Sequence, residues 1–382
     1  ANNPTPANVA DVYDAETYKK WKSYSAEHCR LDIITSAISC IATIVLLATD
    51  AFSAFASLFP KNYIAELLAV ILIVVAVDFV VGTVKSYISN MKIEQKYGFN
   101  RSTMKTFIFD QIRSLLISFG LSCGLVYLIA VLHTNMGDWM IVLFAGAVFA
   151  FTMLFSFLYP VFSRLGNKFV PLEDGELKDR LMALLTKHGY KVKAIEVMDA
   201  SRRTTKLNAY FTGFGRMKTI VLYDNLLNAM TPDEICAVFA HELGHGLHKD
   251  VLKSQILNIF YLLLMATFVW LTAGAKMLYG PFGFDGVNYG FAYILVGVAL
   301  GVVQPLISLM INARSRKAEY RADRQAVLEG YGEAMISAFK KLAKDNFSHL
   351  APSKINVVLE YSHPPLSRRV EEVEKEMARL AK

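Results

Sequence analysis

The sequence predicts a mainly α, multi-span membrane protein whose membrane helices are interrupted by a small α+β domain. Three observations carry this. Hydrophobic residues make up 54% of the 382 residues and charged ones only 19%, with a mean hydropathy of +0.35, a balance too apolar for an ordinary soluble domain. The excess is gathered into runs: residues 114–137, 139–163, 254–275 and 286–313 contain no Asp, Glu, Lys or Arg. Each is long enough to cross a hydrocarbon core of about 30 Å, which takes about 20 helical residues. Between the second and third runs the composition turns polar, and amphipathic helix and strand patterns replace the continuous apolar stretches.

In chain order, a polar stretch over residues 1–21 leads to an apolar run at 33–49, which extends to Phe55 if Asp50 sits near an interface. The run at 63–84 carries Glu66 and Asp78. An acid inside a span costs a few kcal/mol unless it is paired or faces water, so Asp78 is expected to turn toward a polar interior. Six spans result. The loop at 85–113 holds six Lys and Arg against Glu94 and Asp110, whereas the connections at 50–62 and 276–288 carry one Lys each. By the positive-inside tendency, that loop, the segment 164–253 and the chain from Asn312 onward face the cytosol; the membrane is read as a bacterial inner membrane or the endoplasmic reticulum. The net charge of +7 is dispersed beside the spans, which suits anionic headgroups and gives no role to nucleic acid. Gly290, Gly297 and Gly301 in the last span suit a close helix contact or a portal, with close packing favoured. Cys29, Cys40, Cys123 and Cys236 lack C-x-x-C spacing and read as apolar fillers, and the C-terminal LSRRVEEVEKEMARLAK reads as a solvated charged helix. No internal repeat, low-complexity tract or secretory signal is found.

This divides the chain into residues 1–163 (an N-terminal segment and four spans), 164–253 (the α+β domain), 254–313 (two spans) and 314–382 (a C-terminal segment). Within the domain, 174–190 predicts an amphipathic helix, and 194–201 and 219–227 predict strands with LNAYFTGFG between them. A strand beside a site can hold an extended peptide, because its free edge pairs with peptide backbone.

The domain ends in VFAHELGHGLHKD, residues 238–250. With 8 His and 17 Glu in the chain, a chance H-E-x-x-H is expected on the order of 0.01 times. On a helix, His241 and His245 lie one turn apart on one face and can offer two imidazole nitrogens to one tetrahedral ion. Glu242, about 100° around the helix, then faces the water that such an ion activates. The flanks predict that helix: Thr231 and Glu234 form a capping-box pattern, Pro232 stands at the first helical position, and Ile235, Val238, Phe239 and Leu243 supply an apolar face. The alternative is an amphipathic helix with solvated histidines.

Catalytic zinc usually takes three protein ligands. His248 shares the helical face, but it stands two turns, roughly 10 Å, from His241, too far to share one ion; it reads as a solvated or substrate-side histidine. A second candidate lies in RSRKAEYRADRQAV, residues 314–327, where Glu319 and Asp323 are four apart on a predicted helix. The glutamate could ligate the metal while the aspartate orients a ligand imidazole. Glu and Asp among arginines also form ordinary salt-bridged faces. The two metal-bearing segments adjoin the fifth and sixth spans on the same side of the membrane, and this favours Glu319.

Taken together, HELGH, AEYRAD, LNAYFTGF before the strand and YSHPPLSRR near the end resemble the type I CaaX prenyl proteases, integral-membrane zinc endopeptidases of the gluzincin group, over nearly the whole chain. The resemblance implies helices enclosing a water-filled chamber, a zincin-like catalytic domain, one Zn2+ per chain and removal of the terminal tripeptide from prenylated CaaX proteins. It further implies zinc ligation by His241, His245 and Glu319, general-base catalysis by Glu242, support from Asp323, and substrate-backbone binding by Asn208 and Ala209 on an edge strand. It marks His363 as a histidine that binds substrate or the transition state, where on its own a His before two prolines reads as a loop residue. It places Arg369 at the family's arginine, as a substrate contact or a structural residue. Family members typically have seven spans, so an N-terminal helix is expected to precede Ala1. The partners are peptide or prenylated protein and the bilayer, and the chain is read as a monomer. Two alternatives stand: a quality-control zinc protease of membrane proteins that needs no prenyl group, and a membrane scaffold or transporter in which HELGH is non-catalytic.

Overall fold

The computed structural model describes residues 3–59, 62–164, 167–212 and 219–382. The chain forms two compact units, one of residues 24–152 and 256–304, the other of residues 1–23, 153–255 and 305–382.

The first unit is helical. Its main elements come from α1 (Ala15–Ala48), the short α2 (Ala51–Ala56), α3 (Tyr63–Ser86), α4 (Met104–Met136), α5 (Met140–Ser163), α9 (Asp250–Gly274) and α10 (Tyr289–Leu328). Five helical stretches are long and apolar enough to cross a membrane: Ala15–Ala48, Ile64–Glu94, Met104–Leu158, Asp250–Gly274 and Tyr289–Leu328. The third is broken at Gly137, whose φ of +51° suits a residue without Cβ, so the six predicted apolar runs fall on six helices. Leu67, Ile71 and Val75 of α3 pack with Val126 and Ile129 of α4, Met140 and Phe144 of α5, Leu262 and Ala266 of α9, and Val296 of α10. Apolar side chains such as Ile41, Leu116, Phe260 and Val302 are exposed, which suits helices that cross a bilayer. Asp78 is exposed on α3. Of Gly290, Gly297 and Gly301, among the described residues only Gly290 meets another helix: a Cβ there would stand 2.8 Å from the Leu67 carbonyl oxygen, while Gly297 and Gly301 have nothing within 4 Å.

The second unit holds a four-stranded sheet of order β1-β2-β4-β3, built from β1 (Phe169–Pro171), β2 (Ala194–Met198), β3 (Ala209–Thr212) and β4 (Thr219–Tyr223). The central β2 and β4 run parallel, and β1 and β3 flank them antiparallel. The predicted helix appears as α6 (Glu176–Lys187). The second predicted strand stops at Tyr223, because Asp224–Ala229 form α7; Asp224 supplies side-chain acceptors to Ser201 and Asn225 there. Of LNAYFTGFG, residues 213–215 lie outside the described residues.

Next comes α8 (Pro232–Leu247), with the capping box and first-turn proline read from the sequence. One side packs Ile235, Val238, Phe239 and Leu243 against α6 and the sheet. The other packs Ala237 and Ala240 against Met335 and Phe339 of α11 (Gly332–Asp345) and Val370 and Val373 of α13 (Leu366–Leu380). Thus α13 is not simply a solvated face: its valines at i and i+3 are buried. The polar N-terminal stretch also joins this core through Val9, Val12, Tyr13 and Trp21, and the Tyr13 hydroxyl donates to the Ala343 carbonyl at 2.8 Å.

Candidate metal centre

Two helices of the second unit build the site. The first is α8, which carries His241 and His245 four residues apart, with their ring centroids 4.8 Å from each other. The other is the segment of α10 beyond its apolar run, which carries Glu319. Close approach of the two is enforced at Gly244, where a Cβ would stand 3.0 Å from both Ala322 Cα and Gln325 Cβ. The glycine of HELGH is therefore a packing residue, and it lets α8 and α10 bring their side chains to a common point.

There, the nearest ligand atoms of His241, His245 and Glu319 all lie within 4.8 Å of one another. His241 Nε2 is 3.5 Å from Glu319 Oε2, and His245 Nε2 is 3.4 Å from Oε1. Donors held about 2.1 Å from one tetrahedral ion stand about 3.4 Å apart, so these separations fit. Among the described residues, Glu319 Oε2 is buried without a hydrogen-bond partner, a costly arrangement that ligation to a cation would relieve. The donor set, two imidazoles and a carboxylate, suits zinc with one position open for water or substrate. Burial alone would lower the His245 pKa, but hydrogen bonding to Glu319 and Asp250 outweighs it and raises the value to about 9. An arriving ion must displace that proton.

Both imidazoles are oriented from behind. Asp323, 1% exposed, accepts from His241 Nδ1 at 2.8 Å. With Nδ1 engaged in this way, Nε2 is left to face Glu319. His245 Nδ1 meets Asp250 Oδ2 at 3.1 Å. The sequence reading missed Asp250; the signal was a carboxylate five residues after the second histidine, where α8 has already ended.

Glu242 lies half-buried between the two histidines along α8, and its charge acts on both His245 and Arg369. The structure also brings His363 to the site: its Nε2 is 3.4 Å from Glu319 Oε1 and its side chain is 63% exposed, open to an incoming molecule. The Arg369 guanidinium faces inward, donating from Nε and Nη2 to Asp323 at 2.9 and 2.5 Å and standing 3.3 Å from Glu319. Asn208 and Ala209 stand where the chain enters β3, the terminal strand of the sheet order, which runs beside α8. The backbone before them is pinned by Asn346, whose side chain accepts from Leu207 N at 3.0 Å and donates to Leu207 O at 3.2 Å. His248 caps the end of α8 and is not among the converging ligands.

Two family models match this chain: CAAX prenyl protease N-terminal, five membrane helices, over residues 1–164, and peptidase family M48 over residues 171–377. A CAAX prenyl protease 1 homolog of Oryza sativa subsp. japonica is 29% identical over 381 residues, covering 97% of this chain and 90% of the relative. A Dictyostelium discoideum CAAX prenyl protease 1 homolog is 30% identical over 396 residues, covering 98% and 90%. The crystal structure of S. mikatae Ste24p superposes with a TM-score of 0.90 at 27% identity, covering 98% of this chain and 92% of that one. Those matches, over membrane helices and metal-bearing domain alike, place the chain in peptidase family M48 as an integral-membrane zinc metalloprotease.

Proposed function

We propose that this chain is an endopeptidase that cuts near the C-terminus of prenylated CaaX-type substrates, with its catalytic segments facing the cytosol. The observation that carries the reading is the convergence of His241, His245 and Glu319, with each imidazole held from behind by a carboxylate. The substrate class rests on the relatives named CAAX prenyl protease 1, which span most of the chain.

In this reading His241, His245 and Glu319 hold one zinc ion. When bound, the ion supplies a Lewis acid that polarises the scissile carbonyl and acidifies water. The backbone at Asn208 and Ala209 pairs with an extended substrate and fixes the scissile bond over α8. Glu242 takes the proton of the attacking water and returns it to the departing amine. His363 serves the carbonyl oxygen. The Ser362 hydroxyl and His363 Nδ1 stand 3.0 Å apart; in this reading the hydroxyl donates, which leaves the imidazole proton on Nε2 for the oxygen as it gains charge. Asp323 and Arg369 hold His241 in its tautomer and do not touch substrate.

The test is cleavage of paired fluorogenic peptides, one farnesylated at a CaaX cysteine and one not, by purified full chain in detergent, with bound zinc measured in parallel. Preference for the farnesylated peptide at about one zinc per chain is the expected result. Equal cutting of both would replace this reading with a quality-control protease.

A further inference from the structure

The turn between α8 and α9 has a build that the ligand set alone does not require. After His248 the chain reverses through Lys249, whose φ of +54° is left-handed, a conformation that a side-chain-bearing residue keeps only where the surroundings hold it. Three contacts bind the reversal to α10. Asp250 Oδ1 accepts from Arg321 Nη2 at 2.8 Å while its other oxygen meets His245 Nδ1. Three residues further along α9, the Lys253 carbonyl accepts from Arg314 Nη1 at 2.9 Å. Glu319 itself reaches His245 Nε2. Arg314, Glu319 and Arg321 all belong to α10, so His245 is referred back to that helix on both sides of its ring.

We propose that Asp250, aimed by Arg321, is the positioning residue for His245, a counterpart to the Asp323–Arg369 pair behind His241. It rests on the zinc reading above and extends it to how the second histidine is held. Magnitudes separate this role from a merely structural one. The side chains of Arg321 and Asp250 are 42% and 13% exposed; solvent screens the arginine end of the pair, so the Asp250–Arg321 bond does little for the fold. Loss of a carboxylate behind a ligand imidazole, by contrast, typically costs about tenfold to a hundredfold in metal affinity. The consequence is that the zinc affinity of this chain depends on the seating of the α8–α9 turn against α10.

The test compares wild type, Asp250→Ala, Asp250→Asn and Arg321→Gln as full chains in detergent. Zinc dissociation constants are measured by competition with a chromophoric chelator, and melting temperatures of the zinc-free proteins serve as the structural control. Asp250→Ala should weaken zinc about tenfold to a hundredfold with the zinc-free melting temperature within about 2 °C of wild type. Asp250→Asn, which keeps an acceptor oxygen, should recover part of that loss, and Arg321→Gln should weaken zinc less than Asp250→Ala does. Weakening below about threefold in Asp250→Ala, beside a wild type that binds one zinc, overturns the proposal while leaving the protease reading intact. A loss matched by a fall in the zinc-free melting temperature overturns it too, in favour of Asp250 as a plain cap of α9. A wild type that takes up no zinc would sink both.

Discussion

Replacing Asp323 should separate two things that its carboxylate does at once. It is 1% exposed and carries three charge-assisted contacts: His241 Nδ1 at 2.8 Å, and Arg369 Nη2 and Nε at 2.5 and 2.9 Å. Asp323→Ala leaves Arg369, 13% exposed, to compete for Glu319, which already stands 3.3 Å away. Breaking one side of a buried pair costs about 3–5 kcal/mol, a large share of the roughly 5–15 kcal/mol that holds a typical domain. A melting temperature lower by on the order of 10 °C follows, together with a loss of zinc affinity of about tenfold to a hundredfold. The double variant Asp323→Leu with Arg369→Met removes both charges, so it should recover most of the stability, as apolar replacement of buried pairs commonly does. It cannot recover the zinc affinity, because His241 Nδ1 still lacks its acceptor. Thermal unfolding of zinc-free protein and chelator competition measure the two quantities separately. A single variant that melts like wild type, or a double variant that regains full zinc affinity, would refute the reasoning.

Four further outcomes follow from the same geometry. Glu242→Gln should keep stoichiometric zinc and lose about 10²–10⁴ in turnover, the usual worth of a placed acid–base group, read by zinc analysis and peptide cleavage on the same sample. With the His245 pKa near 9 in the ion-free site, that imidazole is protonated at neutral pH, and zinc affinity should rise by about tenfold per pH unit between pH 7 and 8 in competition titrations. Glu234 accepts from Lys341 at 2.7 Å and Ser337 at 2.6 Å, contacts that outweigh the opposing effect of burial and hold its pKa below the usual carboxylate value. Its stabilisation is thus present above about pH 4.5 and is lost as pH falls through the folded value; Glu234→Gln should flatten that acid limb of the melting-temperature profile. Gly244→Ala places a Cβ 3.0 Å from Ala322 Cα and should cost about 1–3 kcal/mol, with weaker zinc binding because α8 and α10 must separate.

The membrane helices and the metal-bearing helix were legible because each rests on local chemistry. Apolar runs without charge have one economical placement, and a capping box with Pro232 fixes where α8 begins. Glu319 could be reached only by joining spacing to topology, since Glu and Asp among arginines look like any salt-bridged face. Other features depend on contacts between segments far apart in sequence. The burial of Val9, Val12 and Trp21 with the valines of α13 could not be read from an N-terminal stretch that is polar on average. Likewise, nothing within HKDV announces that Lys249 adopts a left-handed φ, and without that reversal Asp250 would not face His245. Gly290 could not be told from Gly297 and Gly301 for the same reason: all three have the spacing of a packing stripe, and only one has a neighbour.

The precision of the site comes down to one helix pair. Two histidines stand on α8, while Glu319, the carboxylate behind His241 and the arginine behind Asp250 all stand on α10 within five residues, Glu319 to Asp323. A ligand set split in this way is only as good as the spacing between its helices, because a ligand atom misplaced by a few tenths of an ångström lies outside the narrow range of zinc distances. Side-chain flexibility cannot supply such accuracy at a half-buried site, but backbone contact can: at Gly244 no side chain intervenes between α8 and α10, and the helices close to the limit set by Ala322 and Gln325. The same α10 continues from an apolar run suited to the membrane. It follows that a perturbation shifting the end of α10 beyond its apolar run acts on Glu319, Asp323 and Arg321 together, and reaches both histidines without touching either. Zinc affinity should therefore respond to substitutions at the α8–α10 contact more steeply than overall stability does.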